Sequence, residues 1–134
     1  MKVEGACHCG AIAYEAEVDP AGVEICHCTD CQTLTGTAFR VSVTTPAASL
    51  RLLRGRPSTY VRTAESGNRR AQAFCGTCGT PLWSVAAGDP QAPHTLRVGA
   101  MRQRGQLPPR RQFWCRSAQP WTSALDGLPG VARE

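Results

Sequence analysis

A mainly β fold is predicted for this 134-residue chain by three observations. Several segments alternate apolar and polar residues with a period of two, the pattern of a strand with one wet face. No stretch carries three helical turns of apolar periodicity. Leu, Ile, Val and Phe supply only 23 of the 134 residues, thin for a packed core, while eight cysteines stand ready to add cross-links of another kind.

The elements follow in chain order. Tyr14, Ala16 and Val18 alternate with Glu15 and Glu17, which predicts a strand. The stretch ICHCTDCQTLTG at residues 25–36 holds the one expected helix, about two turns long and starting between Cys28 and Cys31. Thr29 with Gln32 three residues later reads as a capping box, and Gly36 sits where a left-handed C-terminal cap belongs. The positive end of that helix would face the neighbouring thiols and favour their ionised form.

Phe39, Val41 and Val43 alternate with Arg40, Ser42 and Thr44, and Leu96, Val98 and Ala100 show the same spacing. Leu50 to Arg54, then Gly55 to Pro57, then Thr59 to Thr63 read as strand, turn, strand. Pro81 to Val85 and Gln112 to Ser117 complete the strands, while residues 101–112 and the tail after Trp121 are loop-like. Trp83, Trp114 and Trp121 are expected as core or pocket wall. A single domain over residues 1–134 is expected from the length, with frayed final residues.

Composition narrows the function. The N-terminal MKVEGACHCGAIAY has no apolar h-region, so a cytoplasmic protein is expected. Residues 71–88 are uncharged but broken by Gly and Pro, which argues against a membrane span. The net charge is +5 and Arg supplies 14 of the 15 basic residues. They are scattered and lack interleaved aromatics, so no nucleic-acid partner is expected. The Ala, Arg, Gly and Pro bias suits a high-GC bacterial genome.

Seven cysteines fall into three groups: Cys7 and Cys9, then Cys26, Cys28 and Cys31, then Cys75 and Cys78. Such spacing aims two thiolates at one metal ion and suits disulfides badly. Only one pairing of whole groups gives four ligands, Cys7 and Cys9 with Cys75 and Cys78, and these are predicted to hold a structural zinc. Gly76 and Gly79, each following a cysteine, are expected to give the positive φ that a metal knuckle needs. The group of Cys26, Cys28 and Cys31 is one ligand short. An open position marks a catalytic zinc. Cys115, His27, Asp30, His8 or His94 would instead close it. His8 and His27 each lie between two cysteines, so alternation turns them away from the metal. His94, in a Pro-rich loop, is expected to be solvated.

The runs GACHCGAIAYE, ICHCTDCQTLTGTAF, RGRPSTYVRTAESGNRRAQAFCGTCGTPLW and FWCRSAQPW resemble the glutathione-dependent formaldehyde-activating enzyme family, which also includes centromere protein V. The similarity spans about residues 5–121. It implies a β-tent of antiparallel sheets with zinc knuckles and two zincs per chain. Cys7, Cys9, Cys75 and Cys78 match the structural zinc, and Cys26, Cys28 and Cys31 match the labile, catalytic zinc. It also implies a carbon–sulfur lyase activity that joins a small thiol such as glutathione to a small aldehyde such as formaldehyde. Gln112 stands where members usually have a histidine, and Cys115 where they commonly lack a cysteine. A thiol carrier without turnover and a protein-interaction module are the competing readings, and a homodimer is compatible with the pattern.

Overall fold

In the computed structural model, which describes residues 1–134, ten strands form two sheets. The small sheet joins β1 (Lys2–Ala6), β2 (Ala13–Glu17) and β5 (Leu50–Arg54) in the order β1-β2-β5. The large sheet joins β3 (Glu24–Cys26), β4 (Arg40–Thr45), β6 (Ser58–Thr63), β7 (Arg69–Phe74), β8 (Pro81–Ala86), β9 (His94–Arg97) and β10 (Arg111–Phe113). Its order is β10-β3-β4-β9-β8-β7-β6. One α-helix, α1 (Thr29–Thr35), leaves β3. No helix is long and apolar enough to cross a membrane.

Residues directly opposed across a ladder point to the same side of the sheet. Val43 opposes Leu96, which opposes Trp83. This face packs on Val3, Tyr14 and Ala16 of the small sheet to make the core. Tyr14 meets Trp83 edge to face, with centroids 5.4 Å apart, a favoured aromatic geometry. The core cluster contains only 14 buried residues, and two of them are the cysteines Cys7 and Cys75.

The other face of the large sheet is polar but not wet. Arg40, Ser42, Gln72, Ser84 and Arg97 are all buried there, with Ser42 opposing Arg97 and Gln72 opposing Ser84. The sheet curls so that its two edges approach each other. Asp30 on α1 pairs with Arg62 on the edge strand β6 at 2.7 Å, and Glu65 beyond β6 meets Arg116 beyond β10 at 2.8 Å. The helix lies against the hollow of that curl.

Several expectations need correction. The alternation in β4 places apolar side chains on one face, but the opposite face is covered by α1 and the curl, so Arg40 and Ser42 are buried rather than solvated. The strands on either side of Gly55 to Pro57 form, but β5 pairs with β2 and β6 with β7, so the chain there crosses between sheets. The segment after Leu96 turns into a 3-10 helix at Val98–Ala100. Likewise β10 ends at Phe113 and a 3-10 turn follows at Cys115–Ser117. The sheets are not wholly antiparallel, since β10 runs parallel to β3 after a long crossover. The tail after Trp121 is not plain loop, because Pro120–Gly127 forms 3-10 turns.

Candidate metal centres

Each tight cysteine group sits at the end of a strand. Cys7 directly follows β1 of the small sheet, and Cys75 directly follows β7 of the large one. The turn after Cys7 is closed by the Gly10 N–H donating to the Cys7 carbonyl at 3.1 Å, and that after Cys75 by the Gly79 N–H donating to the Cys75 carbonyl at 2.8 Å. Gly79 has φ of 78°, the left-handed conformation that the knuckle requires. Gly76 does not; a Cβ there would meet only the Ser58 hydroxyl, at 2.5 Å, which an exposed serine can turn aside.

The ligand atoms of Cys7, Cys9, Cys75 and Cys78 lie within 4.8 Å of one another. Cys7 and Cys9 sulfurs are 3.6 Å apart, and those of Cys9 and Cys75 3.7 Å. A tetrahedron with metal–sulfur bonds of about 2.3 Å has edges of about 3.8 Å, so the four residues fit a divalent cation. Backbone supports the ionised form, with the Ile12 N–H donating to Cys7 Sγ at 3.2 Å. The Cys78 thiol is pulled down to about 5, first by the Thr80 hydroxyl beside it at 3.1 Å. The His8 N–H donates to that same hydroxyl at 3.0 Å, tying the two knuckles together.

The second group is built at the junction of β3 and α1. Cys26 ends β3, Cys28 is the N-cap of α1, and Cys31 lies in its first turn. The three ligand atoms again lie within 4.8 Å of one another. The Cys28 sulfur accepts from the Cys31 N–H at 3.3 Å, the role that a serine or aspartate side chain usually fills. The N-cap thus lies one residue earlier than expected, and the Thr29–Gln32 capping box does not form. Gln32 turns elsewhere, donating to the carbonyls of His27 at 2.7 Å and Ser117 at 2.9 Å. Gly36 is the left-handed C-cap as expected, with φ of 68°. The Cys26 thiol is pulled down to about 5, chiefly by a hydrogen bond from Cys31 and further by Cys28 and the charge of Arg40. Cys31, the donor, is pushed up.

No fourth protein ligand joins Cys26, Cys28 and Cys31. Cys115 is exposed and outside both groups. His27 is buried and its Nε2 lies 2.7 Å from Gln112 Oε1, while Asp30 is engaged by Arg62. His8 is exposed. His94 is half-buried rather than fully solvated; its ring packs on Trp83 at 6.3 Å between centroids, and burial lowers its pKa. Two of the three cysteines, Cys26 and Cys28, instead line a cavity of about 410 Å³ whose walls include Asp30, Arg62, Glu65 and Trp114, while Cys31 is buried. Trp114 holds a left-handed backbone, φ 57°, rare for a bulky residue, and Arg116 lies 4.8 Å over its ring.

Sequence reading missed the roles of Arg40, Arg62 and Arg97, whereas Trp114 is the pocket wall it was expected to be. A signal was present for two of them: Arg40 and Arg97 interrupt the apolar runs TAFRVSV and TLRVG, at the first residue of β4 and the last of β9. Alternation alone assigned that face to solvent, because nothing local announces the curl of the sheet.

The model of the glutathione-dependent formaldehyde-activating enzyme family matches residues 2–117. Among solved structures, a crystal structure of a Rhodobacter sphaeroides protein is similar in fold, with 22% identity and a TM-score of 0.61 over 81% of this chain and 98% of that one.

Proposed function

The chain belongs to the glutathione-dependent formaldehyde-activating enzyme family, and from that premise we propose that it is a zinc-dependent lyase-type enzyme joining a small thiol, glutathione or a relative, to formaldehyde. The observation that carries this reading is the three-sulfur group of Cys26, Cys28 and Cys31, which has no fourth protein ligand and opens on a cavity. In this reading Cys7, Cys9, Cys75 and Cys78 hold a structural zinc, and Cys26, Cys28 and Cys31 hold a labile one with a vacant position for substrate. Two zincs per chain and a cytoplasmic setting, where eight free thiols persist, belong to the same proposal.

A zinc ion held by Cys26, Cys28 and Cys31 would supply Lewis acidity that favours loss of an arriving thiol's proton to water. The chain's residues do the rest. Cys26, Cys28 and Cys31 fix where the thiolate sits, and Trp114 walls one side of the cavity. The thiolate electron pair forms the new carbon–sulfur bond, the carbonyl π pair moves to oxygen, and that oxygen takes a proton from water. Arg62, on the same wall, is held by Asp30 and donates to the oxygen as its charge grows.

Formaldehyde consumption in the presence of glutathione, measured against the uncatalysed addition, tests the proposal. A rate well above background that vanishes in Cys28→Ser supports it. A background rate with saturable glutathione binding would make the protein a carrier instead.

A further inference from the structure

The hollow of the large sheet holds more positive charge than the chain itself balances. Arg40 and Arg97 are 6% and 8% exposed, and Arg70 is half-buried beside them. None of the three takes part in the chain's seven ion pairs. They lean on neutral acceptors. Gln72 Oε1 accepts from Arg40 Nη1 at 3.2 Å and from Arg97 Nη2 at 2.8 Å, and Ser42 Oγ accepts from Arg97 Nη1 at 3.1 Å. Arg70 Nη2 donates to Ser84 Oγ at 3.1 Å and Thr95 Oγ1 at 3.3 Å. The Nε atoms of Arg40 and Arg97 are buried without any partner.

Burying a cation without a counter-charge is costly, and guanidiniums stay protonated at neutral pH. Burial lowers the pKa of Arg97 to about 9, still above neutrality. The cysteine group offers partial compensation. Even with three thiolates ionised around a divalent cation, it carries one net negative charge against three guanidiniums. Arg62, the fourth cation in the hollow, is already matched by Asp30.

The space for a counter-ion is present. Two adjoining recesses of about 380 and 260 Å³ share Arg40, Arg97 and Pro81 in their walls. Thr35 and Thr80 add hydroxyls to the first, and Tyr60 and Gln72 add polar groups to the second. A planar fork of guanidinium donors suits a carboxylate better than a spherical ion.

The geometry points to a carboxylate-binding site built on Arg40 and Arg97 in these recesses. Its ligand is a small organic carboxylate. The site stands apart from the chemistry of the cysteine group; that the carboxylate belongs to the thiol substrate rests on the proposed function. Arg40 opposes Cys26 across β3 and β4, so the two side chains leave the same face of the sheet.

Calorimetric titration of the full-length, zinc-loaded protein tests the site with two probes at fixed chloride. S-methylglutathione keeps the carboxylates of glutathione but has no free thiol; sodium acetate is a bare carboxylate. Saturable binding of either probe, weakened about tenfold or more in Arg97→Gln and Arg40→Gln and unchanged in the exposed Arg102→Gln, is the expected result. S-methylglutathione binding well below the acetate concentration range identifies the acidic end of a peptide thiol; equal affinities identify a free carboxylate. No saturation by either probe, or full affinity in both buried-arginine variants, overturns the site. So does glutathione binding while neither probe binds, an outcome that leaves the thiol reading of the cysteine group intact. Conversely, S-methylglutathione binding in a protein with no formaldehyde turnover removes the enzyme reading and leaves the carboxylate site. Should both glutamine variants fail to fold, wild-type binding that sulfate displaces supports the site, and its absence overturns it.

Discussion

Gly5 opposes Tyr14 across β1 and β2, and the Tyr14 ring lies where a side chain at position 5 would begin. Tyr14 is fully buried, so it cannot move aside cheaply. Gly5→Ala is expected to destabilise the fold by about 1–3 kcal/mol, seen as a lower denaturant midpoint. Gly22→Ala, where the added carbon meets open space, should stay within about 0.5 kcal/mol. Cys115 makes a second test at this scale. It lies outside both sulfur groups, so Cys115→Ser should leave the bound metal per chain unchanged; loss of one ion would make it a ligand. The cysteine partition was legible because spacing of one or two residues dictates which sulfurs can converge. Burial of Arg40 and Arg97 was not, because it depends on strands that lie far apart in sequence.

Among the elements, α1 bears most on the site, since it holds Cys31 and is capped by Cys28. Its length and its Gly36 terminus were readable from local chemistry. Its N-cap was not, because a cysteine among cysteines gives no signal for which thiol will accept a backbone N–H. Gln32 fastens the helix to the segment after Trp114 through Ser117, and its Oε1 accepts from Gln119 Nε2 at 2.8 Å. Gln32→Ala should cost about 1–3 kcal/mol by leaving those groups unpaired. It should also raise amide exchange selectively over residues 113–121, while exchange in β7 and β8 stays as in the wild type. Uniform exchange changes would contradict this anchoring role. The strands β5 and β6 teach a related lesson: the turn signal at Gly55 to Pro57 located both correctly, but pairing partners are set by sheet assembly and not by the turn that joins them.

For the molecule as a whole, the four-cysteine group joins the end of β1 to the end of β7 and so ties the small sheet to the large one across a gap of 66 residues. With a thin core, a metal held there, as proposed, would carry a large share of stability. Cys75→Ser is therefore expected to lower Tm by at least about 10 °C. Cys28→Ser, which touches only the open group, should lower it far less. A reversed order would place the structural metal at the wrong group.

The most direct test of the central claim counts zinc in wild-type protein and in Cys28→Ser, each purified without chelator, alongside formaldehyde turnover with glutathione. The account predicts two zincs per chain falling to one in the variant, with the fold retained and turnover lost. One zinc in both proteins, or undiminished turnover in Cys28→Ser, would contradict it.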